Sequence, residues 1–242
     1  MKKEDGTVVE SQKFVWKGIG GKKSNSPLIS KDLQENLLKL GCDGQGKDKT
    51  LPFLRSIVDR ARDCIKKQLC PYCNSKEIEI LDDGKGVRKD YKTSDKFFDD
   101  SLSILGCKSC GETFKYDDMN YDVNKLMEIG IPHNFGRDFD SYKTKDSAFR
   151  AARYIKKNLG VPLHGAGDTV LYYYISSVAS GKYPETDVMA VNPENPVFPR
   201  DFTIDEDIML SKIVLAKINM IIPFIDIRWN EIIDPLSKKR ID

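Results

Sequence analysis

Four of the six cysteines fall into two Cys-x-x-Cys pairs, Cys70-Pro-Tyr-Cys73 and Cys107-Lys-Ser-Cys110. Each pair sets two thiolates on one tight turn, about 3.5–4 Å apart. Two such turns supply the four sulfurs that a tetrahedral Zn²⁺ binds at ~2.3 Å. The residue after each pair must turn the backbone through positive φ so that N–H groups aim at sulfur. Gly111 occupies that place after the second pair, and Asn74, the next best residue for the conformation, after the first. Pro71 stiffens the first turn. Cys70, Cys73, Cys107 and Cys110 are therefore expected to form one structural metal site, with zinc as its ion. Binding on the order of 10 kcal/mol can fold a β module too small to hold itself together, so loss of one thiolate should unfold residues 70–118.

Residues 70–114 resemble the zinc-ribbon group in the order Cys-Pro-x-Cys, strand, hairpin, strand, Cys-x-x-Cys-Gly-x-x-Phe, which closes here on Gly111 and Phe114. The resemblance spans about a fifth of the chain and describes a module within it. It implies an information-processing protein that binds nucleic acid or docks on a transcription- or replication-type machine. Two features depart from the pattern. The 33 residues between Cys73 and Cys107 are long for a ribbon, which places an insertion around Lys89–Asp100, and the module is acidic. Other chemistries use the same residue types. Rubredoxin-like sites hold iron between two Cys-x-x-Cys turns, so iron is the alternative ion. Cys-Pro-Tyr-Cys also occurs in glutaredoxins, but there it follows a strand and opens a helix that lowers the thiol pKa. Here it follows an amphipathic helix. A deaminase-type catalytic zinc needs an open position and a His-x-Glu segment, and neither His133 nor His164 begins one.

Cationic residues are the second set able to do chemistry. Lys17, Lys22 and Lys23 lie in a Gly-rich arm that lacks the spacing of a Walker loop but could lie along phosphates. Arg55, Arg62 and Lys66 share one helical face, diluted by Asp59 and Asp63. Arg150, Arg153, Lys156 and Lys157 form a cleaner strip. These are the candidate nucleic-acid contacts. His164 and Asp168, beside a Pro-rich crossing, are the weaker candidates for an enzyme site. Asp201, Asp205, Glu206 and Asp207 suit a helix start without any metal. Cys42 and Cys64 are spare, with Cys64 expected to be buried.

The elements that must position these residues follow from periodicity. Residues 1–29 read as a flexible basic arm with a short strand at Lys13–Trp16. Ser30 is expected to cap a helix carrying Leu33, Leu37 and Leu40, and a second helix runs from about Pro52 to Leu69, straight into Cys70. Residues 70–118 form the cysteine module, with a strand at Lys76–Leu81 turned by Asp82–Gly86 onto Val87–Tyr91, and extended stretches at Ser101–Leu105 and Thr113–Tyr116. Residues 119–242 read as a helical domain: Ser147–Leu159, Thr169–Ala179 capped by Asp168, an irregular crossing over 181–202, then a long helix opened by a Thr203/Glu206 capping box and interrupted by Pro223. The expected fold class is α+β, mostly helical N- and C-terminal parts around a small zinc-ribbon-like antiparallel β module.

Of the 242 residues, 40% are hydrophobic and 31% charged, as in a folded chain. No long uncharged apolar run is present, so no membrane span is expected, and the start Met-Lys-Lys-Glu-Asp-Gly has no secretory apolar core. A cytoplasmic location, where thiols stay reduced, follows as the expectation. Net charge is +2, but residues 1–69 carry 15 Lys and Arg against 9 Asp and Glu, whereas residues 70–120 carry 8 against 11. The expected function is a zinc-stabilised, non-enzymatic protein with nucleic-acid or protein partners. The alternative is a structural or assembly protein of a multi-subunit complex in which the ribbon is only a fold staple.

Overall fold

The computed structural model describes residues 26–42, 46–82, 85–90, 93–98, 104–115, 118–142, 146–158, 160–178, 187–198, 202–219 and 226–233. It is a mixed helix and strand fold with small antiparallel sheets. The basic arm falls outside the described residues up to residue 25, including the strand expected at Lys13–Trp16. Ser26 and Ile29 are already buried.

Helix α1, Leu28–Cys42, turns Ile29, Leu33 and Leu37 inward. Ser30 lies inside it rather than capping it, and its hydroxyl donates to the Ile213 carbonyl at 2.6 Å. Helix α2, Lys47–Ile65, begins five residues before Pro52, which its first turns tolerate. Leu54, Ile57, Val58, Ala61 and Ile65 form its buried stripe. It stops short of Cys70 because Lys66 turns extended, and strand β1, Lys67–Leu69, carries the chain onward.

The cysteine module lies between β1 and β7, Asn120–Tyr121, and these two strands pair antiparallel. Inside it, β2 (Ile78–Asp82), β5 (Ile104–Cys107) and β6 (Thr113–Lys115) form a three-stranded sheet in the order β2–β5–β6. The strand after the 82–86 turn does not return onto β2 as expected. β3 (Lys85–Asp90) pairs instead with β4 (Thr93–Phe98), a separate hairpin between β2 and β5 that overlaps the expected insertion.

Among the described residues beyond 119, strands stand in place of some of the expected helix. Asp122 caps α3, Val123–Ile129, by accepting from the Asn124 amide at 3.1 Å. β8, Ile131–Asn134, follows, and α4, Ser147–Asn158, matches its expected span within a residue. The stretch 169–178, expected as a helix, is strand β9, Thr169–Val178. It is central in its sheet, pairing with β8, with β10 (Val188–Val191) and with β11 (Phe202–Ile204). The apolar positions fit a helical stripe, but Val170, three tyrosines and Ile175 are β-branched or aromatic and favour a pleated surface. Val188–Val191, part of the expected irregular crossing, is buried at every position.

The Thr203 capping box is also corrected. Thr203 belongs to β11, and Asp205 caps α5, Glu206–Leu210, by accepting from the Ile208 amide at 2.9 Å. The helix widens into a π turn at Ser211–Leu215 before α6, Ala216–Ile218. Helix α7, Trp229–Ile233, comes last among the described residues. Among the described residues, one core joins α1 and α2 to α3, α4, the β9 sheet, α5–α7 and the π turn, while a second holds Cys70, Leu105, Cys107, Phe114 and Met119 with Ile78 packed against it.

Candidate metal centre

Two knuckles with matched backbone bonding build the site. The Asn74 amide donates to the Cys70 carbonyl at 2.9 Å, and the Gly111 amide to the Cys107 carbonyl at 2.8 Å. The Cys70 amide donates to the Ser75 carbonyl at 3.0 Å, and the Cys107 amide to the Glu112 carbonyl at 2.9 Å. Closing both turns requires the left-handed conformation after the second cysteine. Asn74 takes it at φ 57° and Gly111 at φ 76°, the two positions singled out by the sequence.

The sulfurs converge. Cys70 Sγ lies 3.7 Å from Cys110 Sγ, and Cys73 Sγ lies 3.5 Å from Cys107 Sγ. All four lie within 4.8 Å of one another. A tetrahedron of bonds of ~2.3 Å has edges near 3.8 Å, so the four thiols can hold a metal ion with little movement. Cys70 and Cys107 are buried against Leu105 and Phe114, while Cys73 and Cys110 face solvent. The Ser75 and Ser109 hydroxyls meet at 2.8 Å, and Ser109 donates to Glu77 at 3.0 Å, clipping one knuckle to the other.

The thiols do not titrate independently. Burial opposes ionisation of Cys107, but the backbone at Cys110 and Ser109 and the thiols of Cys73 and Cys110 outweigh it and bring it down to about 6. At Cys73 the Ser75 backbone favours the thiolate. Burial and the neighbouring thiols of Cys107, Cys110 and Cys70 overcome it and push the group up to about 12. The Cys107 sulfur is thus the one that its Cys73 and Cys110 neighbours stabilise as a thiolate. A cation entering the cluster must displace the protons that this sharing retains.

The module is anchored at its exit. Asn120 Nδ2 donates to Asn74 Oδ1 at 2.9 Å, and Lys76 pairs with the Asp122 cap at 2.7 Å. That pair holds the Asp122 carboxyl below its ordinary value.

The candidate cationic residues scatter. Lys17, Lys22 and Lys23 lie outside the described residues. Arg55 Nε donates to the Glu231 carbonyl at 3.0 Å. Arg62 bonds Glu206 at 2.7 Å and the Ile233 carbonyl at 3.1 Å, so both arginines fasten α2 to the C-terminal helices. Arg150 Nη2 bonds both Asp187 carboxylate oxygens at 2.8 Å. Lys66, Arg153 and Lys157 are exposed, and Lys156 lies over the Phe139 ring at 5.2 Å.

The pair considered for catalysis closes a turn. Asp168 accepts from the backbone amides of His164 and Gly165 at 2.6 and 2.8 Å. His133 packs edge-on against Phe135. Cys64 is buried in α2, and that burial pushes its thiol up to about 11. The serine–glutamate clip escaped the sequence reading. Ser75 comes after the second cysteine of its pair and Ser109 lies between the cysteines of the other, so no matched offset marked them in the chain.

No family model matches the chain, and no curated protein matches it.

Proposed function

We propose that this chain is a docking protein of a multi-subunit assembly, in which a zinc-ribbon-like module is held by zinc at Cys70, Cys73, Cys107 and Cys110. The observation that carries the reading is the way the module is inserted. The chain leaves the body at β1 and returns at β7, paired with each other, and the residues between hold a small core of their own. Such an insertion presents a rigid surface away from the main core at small cost to it. A zinc ion there supplies a closed four-thiolate vertex that joins the two turns and leaves no position for a substrate. The internal bonding of Arg55, Arg62 and Arg150 supports a protein partner over a phosphate backbone.

A second reading, nucleic-acid binding, draws on the exposure of Arg153 and Lys157 on α4. One preparation addresses both. The chain, tagged and recovered from its source cells, should carry one zinc by elemental analysis and bring down a complex of fixed composition that survives nuclease. Absence of zinc would sink the metal assignment. Binding to mixed DNA and RNA that collapses between about 50 and about 200 mM salt, and weakens in R153Q/K157Q, would replace docking with the second reading.

A further inference from the structure

Within the module sheet, β2 is an edge: it pairs with β5 on one side, and among the described residues no strand covers the other. Two consecutive apolar side chains on it are exposed, Ile80 at 66% and Leu81 at 53%. Ile80 stands opposite the buried Leu105, on the face that carries the small core. Leu81, the extra residue where the register with β5 slips, lies over Gly106, where a Cβ would come 3.0 Å from it. The two side chains thus point to opposite faces of the sheet. A surface laid on either face covers one of them. A strand laid along the edge touches both and also satisfies the outward N–H and C=O groups.

Charge selects the occupant. Residues 77–83 read Glu-Ile-Glu-Ile-Leu-Asp-Asp, four carboxylates and no cation. Lys108 answers Glu79 at 3.4 Å, and Ser109 donates to Glu77 at 3.0 Å. A second copy of this strand would set carboxylates against carboxylates, and a phosphate backbone would be repelled in the same way. A strand of alternating cationic and apolar residues complements both the charge and the two exposed side chains.

We propose that β2 is the docking edge for an extended basic segment of a partner polypeptide, added to the sheet as a fourth strand. The proposal rests on the docking reading above and names the chemistry of its partner.

The test uses the full zinc-loaded chain and a fluorescent peptide of alternating lysine and valine, followed by anisotropy at about 50 mM salt. Saturable binding is expected, weakened at least tenfold by Ile80→Lys in a protein that still holds one zinc. Two further peptides carry N-methyl groups on every second amide, one in each phase. The phase whose methyls face β2 should lose binding at least tenfold while keeping every charge and side chain. Equal binding of both methylated peptides, or equal binding of an alternating glutamate–valine peptide, overturns strand addition. So does silence from a chain with full zinc, or self-association that Ile80→Lys abolishes. A chain that never takes up zinc defeats the metal assignment within the docking reading, and a chain that brings down no nuclease-resistant complex defeats the docking itself, so both are distinguished from these outcomes by metal content and complex recovery.

Discussion

Tyr173, Leu54, Ile155 and Met189 sit at zero exposure in the body, inside a core drawn from both ends of the described chain. Among the described residues, the module's small core holds Cys70, Leu105, Cys107, Phe114 and Met119, and Cys70 and Cys107 are among the four clustered thiols. Leu105, Phe114 and Met119 contribute ~1.5–3 kcal/mol each when buried. Burial on that scale is small against the conformational entropy lost in ordering two knuckles and the β2–β5–β6 sheet. The body is therefore held by packing. The module's described core is gathered around the four clustered thiols, so the two regions are expected to respond to different insults.

The largest expected separation comes from the metal. Cys107→Ser, or strong chelation, removes stabilisation on the order of 10 kcal/mol from the module. Hydrogen exchange should show residues 104–115 losing protection while α2 and β9 keep theirs. Concerted loss in both regions would show that the body needs the module.

Next is the converse. Tyr173 is wholly buried, and its hydroxyl donates to the Leu126 carbonyl at 3.0 Å. Gly130 leaves it room, since a Cβ there would come 2.5 Å from the phenol oxygen. Tyr173→Ala should cost the body about 3–5 kcal/mol in denaturant unfolding, with zinc stoichiometry unchanged. A lowered zinc content at equal folded fraction would break the comparison.

The smallest effect lies at the seam. Lys76 of the module pairs with Asp122, which also caps α3. The pair depresses the Asp122 carboxyl in the folded state. Its stabilisation is complete above the ordinary carboxylate range and is lost as pH falls through the lowered value. Asp122→Ala should remove that pH dependence and cost about 1 kcal/mol through the lost cap. An unchanged acid limb in the variant would assign the dependence to other carboxylates.

Local chemistry explains which elements were legible. The four cysteines, Gly111 and Asn74 could be placed because ligand spacing and positive φ are properties of a few consecutive residues. Helices α2 and α4 showed in their apolar stripes. β9 did not, because Val170, Leu171, Tyr174 and Ile175 satisfy the helical period as well as a strand flanked by two neighbours. Thr203 and Asp205 both offer a cap, and the pairing of β11 with β9 takes Thr203 out of contention.

The roles of the arginines lay beyond any local pattern. Arg55 and Arg62 read as a cationic face on α2, and their partners Glu231 and Glu206 stand well over a hundred residues away in the chain. The sequence by itself determined the cysteine pairs that cluster, the acidity of the module and the shape of its two turns, since these depend on residue type within a few positions. Tertiary structure alone decided that 169–178 is a strand, that β2 pairs with β5 rather than with β3, and that α1 and α2 share a core with the C-terminal elements. Those outcomes depend on which distant surfaces each segment can bury against, and the free energy of that burial is a property of the pair.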